Sequence, residues 1–178
     1  MISHKTISKV NKYVYLKKSK IHSKGLFALK KIPVGTRIIE YTGEIITKRE
    51  GTRRADTTVK LSKRNPSKGA TYIFEIDKKH DLDGGSIRNN PAKYINHSCN
   101  PNCKYKIIKK QIWIYSVRDI ARGEEITYNY GFGWDSRNYS KYACKCGSAN
   151  CVGYILEKKS WVKLEKRLAR YIKEASRK

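Results

Sequence analysis

Short stretches in which β-branched or aromatic residues alternate with polar ones follow one another along most of the chain, separated by glycine, proline and asparagine. Alternation puts successive side chains on opposite faces and predicts half-buried strands. Residues 13–17 form the first such stretch. Residues 21–28 read as a turn running into a strand, with Gly25 free to take a backbone conformation that other residues resist. A second turn follows at 31–35. Residues 37–46 read as two short strands bent at Gly43, and 72–76, 103–108, 111–117 and 126–130 as further strands. Lys109-Lys110 is the expected hairpin turn between two of them, and Asp81-Leu-Asp-Gly-Gly85 a further turn. Residues 48–68 are polar and predict a short helix followed by a mobile loop.

Beyond residue 157 the period changes. Trp161, Leu164, Leu168 and Tyr171 or Ile172 recur at three- and four-residue spacing, one face of a helix over about 157–175 whose other face is Lys and Arg. The expected role of that face is to pack on the sheet and close the domain. Many short strands, glycine- and asparagine-rich turns and one terminal helix define a mainly β single domain. With 178 residues, the chain is long enough for one compact core.

Charge changes the picture of the surroundings. Against 15 Asp and Glu stand 40 Lys and Arg, a net charge of +25, which predicts attraction to polyanions or to proteins bound to them. No apolar run reaches the ~18 residues that span a bilayer, and the N-terminus lacks the apolar core of a signal peptide. These features describe a soluble protein with no membrane association. Its compartment is expected to be the cytoplasm or a nucleus, a host nucleus if the protein is exported. The oligomeric state is left open by the sequence.

Two stretches carry the candidate chemistry. Tyr94-Ile-Asn-His-Ser-Cys-Asn-Pro-Asn102 continues neither strand nor helix, because Pro101 lacks an N–H and asparagine favours turns. It offers amide, imidazole and thiol groups. Gly123-Glu-Glu-Ile-Thr-Tyr-Asn-Tyr-Gly131 holds Tyr128 and Tyr130 between glycines. Five cysteines form an odd set, three of them within Cys144-Lys-Cys-Gly-Ser-Ala-Asn-Cys151. A disulfide framework favours an even count and wider spacing, so metal binding in a reducing compartment is the better reading. Tetrahedral zinc requires a fourth ligand, for which Cys99 and Cys103 compete.

Taken in order, Ser23-Lys-Gly-Leu-Phe-Ala28, Glu40-Tyr-Thr-Gly-Glu44, Tyr72, Asn96-His-Ser-Cys99, residues 123–130 and Cys144-x-Cys-x4-Cys151 resemble the SET-domain protein lysine methyltransferases with a post-SET zinc tail. The resemblance covers roughly residues 14–157. It implies a fold of small β-sheets in which the tyrosine-bearing segment threads a loop as a pseudoknot. It also implies a SET domain at 14–135 and a post-SET zinc-binding segment at 136–157; the lysine-rich start adds a basic N-terminal arm at 1–13 and the helical period a basic amphipathic helix at 158–178. By the same resemblance S-adenosylmethionine and a peptide enter from opposite faces of a narrow channel. Tyr130 takes the catalytic position, Tyr41 lines the channel from the opposite strand, and Tyr128 restricts the room around the amine, favouring mono- or dimethylation. Lys24, Gly25, Leu26, Tyr72, Lys93, Asn96 and His97 are the implied cofactor contacts, and Cys99, Cys144, Cys146 and Cys151 the implied zinc ligands. Ser23 stands where a first glycine is common, Asn129 where an acid is usual, and Lys93-Tyr94 where Arg-Phe is usual. Residues 132–142 are expected to form a lid.

The function so implied is methyl transfer to lysines of a histone or another basic protein, the chain's own lysine-rich termini included. The rival reading is a non-catalytic basic zinc module that binds nucleic acid or chromatin. A redox thiol protein built on Cys144-x-Cys146 requires free, reactive thiols instead.

Overall fold

The computed structural model describes residues 8–64, 72–136 and 138–176. Three small sheets share one core. Strands β1 (Ser8–Lys9), β2 (Val14–Lys18) and β3 (Lys24–Ala28) form the first, in that order. β4 (Arg37–Tyr41), β5 (Glu44–Thr47), β6 (Ile73–Glu75) and β7 (His80–Asp83) follow, then β8 (Asn96–His97), β9 (Cys103–Ile108), β10 (Gln111–Ser116) and β11 (Thr127–Tyr128). The second sheet runs β4-β10-β9-β11-β8 and the third β5-β7-β6. Val14, Leu26, Ile32, Ile95, Ile112, Ile114, Ile120 and Ile126 are fully buried where the first two sheets meet.

The described part of the expected basic arm is more ordered than its composition implied. Ser8 and Lys9 pair with Leu16 and Tyr15, and Val10 and Tyr13 pack against the core. Residues 1–7, and the expected mobile loop at 65–71, lie outside the described residues.

β9 and β10 form the expected hairpin. Its turn residues Lys109 and Lys110 both have positive φ, 49° and 66°, the geometry a two-residue hairpin loop requires to follow the strand twist. Asp81 to Asp83, expected in a turn, instead belong to β7, the central strand of the third sheet. Leu82 is buried there, and the flanking carboxylates are neutralised by cations from α1 (Lys48–Arg64). Lys48 Nζ lies 2.7 Å from Asp81 and 3.0 Å from Glu75. The Arg54 guanidinium reaches Asp83, Glu44 and Glu50, each at 2.7 Å. With 17 residues, α1 is longer than expected, and its first two turns carry the cations that meet this sheet's acids.

The C-terminal helix α2 (Trp161–Ala175) forms as its period implies, but only its start is covered. Leu164 is buried and Trp161 Nε1 donates to the Leu156 carbonyl at 3.4 Å. Leu168, Tyr171 and Ile172 face solvent, Ile172 with 69% exposure, so the expectation that the whole apolar face closes the domain is corrected. Among the described residues, no helix is long and apolar enough to cross a membrane.

Candidate functional site

The two candidate stretches meet through β11. It pairs in parallel with β8 on one side, Thr127 opposite Asn96 and Tyr128 opposite His97, and with Cys103 of β9 on the other. The 123–131 segment therefore passes between the two ends of the 98–102 turn, the threading that the resemblance implies. Asn102 locks the crossing. Its Nδ2 donates to the Glu125 carbonyl at 2.7 Å and its Oδ1 accepts from the Thr127 N–H at 2.9 Å. The Ser98 N–H donates to the Tyr128 carbonyl at 3.2 Å.

Beside the crossing opens a cavity of about 1090 Å³. One end is walled by His22, Ser23, Lys24, Tyr94, Asn96 and His97. Toward the other runs a continuous chain of rings. Phe74 packs edge-on to Tyr41 at 4.8 Å and to Tyr105 at 5.1 Å, and stacks on Tyr128 at 5.7 Å. Tyr128 and Tyr130 lie 5.1 Å apart, and Phe132 continues the chain to Tyr142 at 5.0 Å.

The predicted tyrosines are brought together here. The Tyr130 hydroxyl donates to the Ile95 carbonyl at 3.0 Å and the Tyr41 hydroxyl to the Tyr72 carbonyl at 3.1 Å. Burial, reinforced by neighbouring tyrosines, pushes the Tyr41, Tyr128 and Tyr130 hydroxyls well above their ordinary range. All three stay neutral through physiological pH, so this stretch of wall presents rings and uncharged hydroxyls.

The predicted cofactor contacts divide. Tyr72, Lys93, Lys24, Asn96 and His97 line the cavity, whereas Gly25 and Leu26 lie behind Lys24, buried. Gly25 has no positive φ; its missing side chain makes room for Glu125, whose carboxylate a Cβ would strike. Ser23 is the residue in the left-handed region, at φ 45°, where the family resemblance places a glycine. Replacing Ser23 with Gly is expected to raise stability by up to ~1 kcal/mol in denaturant unfolding, because a side chain there carries a conformational penalty.

Glu125 was not singled out by the sequence, yet it organises this end. It accepts from Ser19 Oγ at 2.8 and 2.9 Å and from Asn96 Nδ2 at 2.7 Å. Asn96 Nδ2 also donates to the Lys24 carbonyl at 3.1 Å. The amide donors of Asn96 therefore hold the 22–25 loop, which leaves main-chain groups to face a ligand.

His97 joins the cavity to the cysteines. Its Nδ1 accepts from the Tyr130 N–H at 3.2 Å, which places the ring proton on Nε2, 3.6 Å from Cys99 Sγ. Burial lowers its pKa to about 4, keeping the ring neutral.

Cys99, Cys144, Cys146 and Cys151 present sulfurs that all lie within 4.8 Å of one another, and Cys99 Sγ is 3.9 Å from both Cys144 and Cys151. Tetrahedral zinc with bonds of about 2.3 Å separates its sulfurs by roughly 3.8 Å, and a disulfide holds them near 2.05 Å. The spacing fits the ion and not a bond. Burial opposes ionisation of Cys146, but the Cys99 N–H and the Ser148 hydroxyl, 3.0 Å away, lower its pKa to about 6. Cys103, the competing fourth ligand, stands apart in the core, where burial pushes its thiol up to about 12.

Residues 132–142, expected to form a lid, fold onto the cysteine tail. Trp134 stacks on Tyr139 at 4.8 Å, Tyr139 meets Tyr154 edge-on at 4.9 Å, and the Glu157 N–H donates to the Phe132 carbonyl at 2.9 Å. Asn129, in place of the usual acid, donates to the Leu156 carbonyl at 3.1 Å.

Phe74, Tyr105, Phe132 and Tyr142 were also missed as wall residues. Alternation in Tyr72-Ile-Phe-Glu-Ile76 sets Phe74 on the same face as Tyr72, a signal that could have found it.

Residues 23–131 match the SET domain family, and the chain belongs to that family. Among curated proteins it is similar to the histone-lysine N-methyltransferase, H3 lysine-4 specific, of Chaetomium globosum, 38% identical over 153 residues, 84% of this chain and 14% of the relative. The protein of the same description in Saccharomyces cerevisiae is 36% identical over 159 residues, 87% of this chain and 14% of its own length. Histone-lysine N-methyltransferase trithorax of Drosophila virilis is 37% identical over 160 residues, 86% of this chain and 4% of its own. The chain thus spans about one seventh, or less, of the length of these relatives.

Proposed function

We propose that this SET domain transfers a methyl group from S-adenosylmethionine to lysine side chains of a histone or another basic protein. The observation that carries the reading is the ring-walled channel ending at the Tyr130 hydroxyl beside the Asn96-His97 face. The relatives named as histone-lysine N-methyltransferases support it. A nuclear site of action follows from a histone substrate. Functionally the chain divides into the SET domain at 14–135, the post-SET segment at 136–157 and the basic helix at 158–178.

The residues suit the donor. His22 and Ser23 with the Asn96-His97 strand offer main-chain groups to a nucleoside, Lys24 and Lys93 offer cations to a carboxylate, and neutral His97 does not repel a sulfonium. Bound there, S-adenosylmethionine supplies an electrophilic methyl group on a positively charged sulfur. Neutralising an ordinary lysine at pH 7 costs roughly 4.6 kcal/mol. The aromatic walls lower that cost by excluding water, which disfavours the ammonium. The Tyr130 and Tyr41 hydroxyls and the Ile95 carbonyl orient the amine lone pair along the channel axis. Tyr128 limits the room around the nitrogen. Replacing it with Phe is expected to shift products from mono- and dimethyl-lysine toward trimethyl-lysine in intact-mass spectra.

Cys99, Cys144, Cys146 and Cys151 would hold zinc, tying the tail against the channel. The basic surface gives a nucleic-acid contact as a second activity, favoured by the net charge of +25. The test is transfer of labelled methyl to core histones and to the chain itself, alongside duplex DNA binding at rising salt. Label above background supports the enzyme. Tight, salt-sensitive DNA binding with background label favours the non-catalytic module.

A further inference from the structure

The acids closest to the channel already have partners within the protein. Glu75 and Asp81 are held by Lys48, and Asp83 by Arg54. Asp77 faces His80 at 3.0 Å and Lys110 at 3.7 Å. Among the described residues, Glu75 and Asp77 are the only acids on the cavity wall, whereas Lys24, Lys78, Lys93, Lys141 and Lys145 all line it. Five cations against two anions leave the described wall three charges positive. Among the described residues, none of the five lysines forms an ion pair.

These lysines occupy both ends. Lys24 and Lys93 lie against the Tyr94 ring, each 5.7 Å from its centre, beside the Asn96-His97 face. Lys78 is exposed on the turn joining β6 and β7, just beyond Phe74. Lys141 and Lys145 are exposed on either side of Tyr142, whose ring packs on Phe132 at the opposite wall. Among the described residues, the Lys141 ammonium donates to the Asn138 side-chain oxygen, a neutral partner. With Lys24 and Lys93 at the donor end, a peptide entering from the other side passes Lys78, Lys141 and Lys145, none of which has an ion-pair partner among the described residues.

We infer, resting on the methyl-transfer reading above, that the lysine taken by this site is flanked in its substrate by acidic residues. The substrate segment is a locally acidic peptide and not an arginine- or lysine-rich tail. Like charges brought together across an interface are disfavoured, and complementary charges both steer the encounter and fix its register. The same cations disfavour the ammonium form of the incoming side chain, which helps to deliver a neutral amine. Aspartates or glutamates beside the target pair with Lys78, Lys141 and Lys145 and leave the amine in the uncharged channel. A basic protein meets this requirement through an acidic stretch on its folded surface.

The experiment uses the full chain, S-adenosylmethionine and three peptides of equal length with one central lysine. Their flanks carry Glu and Asp, Gly and Ser, or Arg and Lys, and core histones serve as a protein substrate in parallel. The acidic peptide is expected to have the lowest KM, on the order of tenfold below the neutral one, with the gap closing as salt rises. The Lys78→Glu/Lys145→Glu double variant is expected to lose or reverse that preference. Equal use of the three peptides, or preference for the basic one, overturns the inference while the enzyme reading stands. Absence of label on every peptide, on histones and on the chain itself overturns the methyl-transfer reading instead.

Discussion

Tyr130→Phe is expected to lower the rate of methyl transfer at least about a hundredfold, with donor affinity changed far less. The ring packs between Tyr128 and Phe132, so a phenylalanine there preserves the wall and removes only the hydroxyl. That hydroxyl reaches the Ile95 carbonyl at the point where the threaded segment crosses β8. Without it the amine loses a fixed dipole that sets its approach. Single-turnover rates measured beside equilibrium binding of S-adenosylhomocysteine separate the two effects. A variant with wild-type turnover would remove Tyr130 from the reaction.

Removing the metal is expected to produce the second large effect. Structural zinc bound by thiolates contributes on the order of 10 kcal/mol to folding of its ligand segment, so chelation or Cys99→Ser unfolds a small tail that has little core of its own. The consequences reach the site by two routes. Cys144 and Tyr142 line the cavity, and Cys99 Sγ faces the His97 ring that accepts from the Tyr130 N–H. Metal content is expected to fall from one zinc per chain to none, with affinity for S-adenosylhomocysteine reduced on the order of tenfold or more. Amides of 143–156 should lose hydrogen-exchange protection while the β9–β10 hairpin keeps it. Protected tail amides in metal-free protein would show that the aromatic packing of Trp134, Tyr139 and Tyr154 holds the tail by itself.

Much of this architecture was legible before any coordinates. The hairpin at Lys109-Lys110, the bend at Gly43 and the pairing of the two candidate loops followed from alternation, turn residues and recognisable motifs. What escaped did so for physical reasons. β7 reads as a turn because it holds Asp81 and Asp83 and is followed at once by Gly84 and Gly85, and the cations that neutralise those acids come from Lys48 and Arg54, about 30 residues away. Glu125 looks like one more surface acid, since nothing local reveals that Ser19 and Asn96 converge on it. Gly25 was singled out correctly but for backbone freedom, whereas its role is to clear space for that carboxylate. Helical period identified the apolar face of α2 but carries no information about what covers it, and Tyr171 and Ile172 lie open. Spacing alone leaves Cys99 and Cys103, four residues apart, as equal candidates; the family resemblance implied Cys99, and the fold brings its sulfur to the other three.

A crystal structure of the chain with S-adenosylhomocysteine and an acidic lysine peptide tests the central claim most directly. The expected result is a nucleoside against the Asn96-His97 face, its sulfur at the inner end of the ring-walled channel, and a lysine nitrogen approaching from the far side within reach of the Tyr130 hydroxyl. A nucleoside bound away from that face, or Tyr130 turned out to solvent, would contradict it.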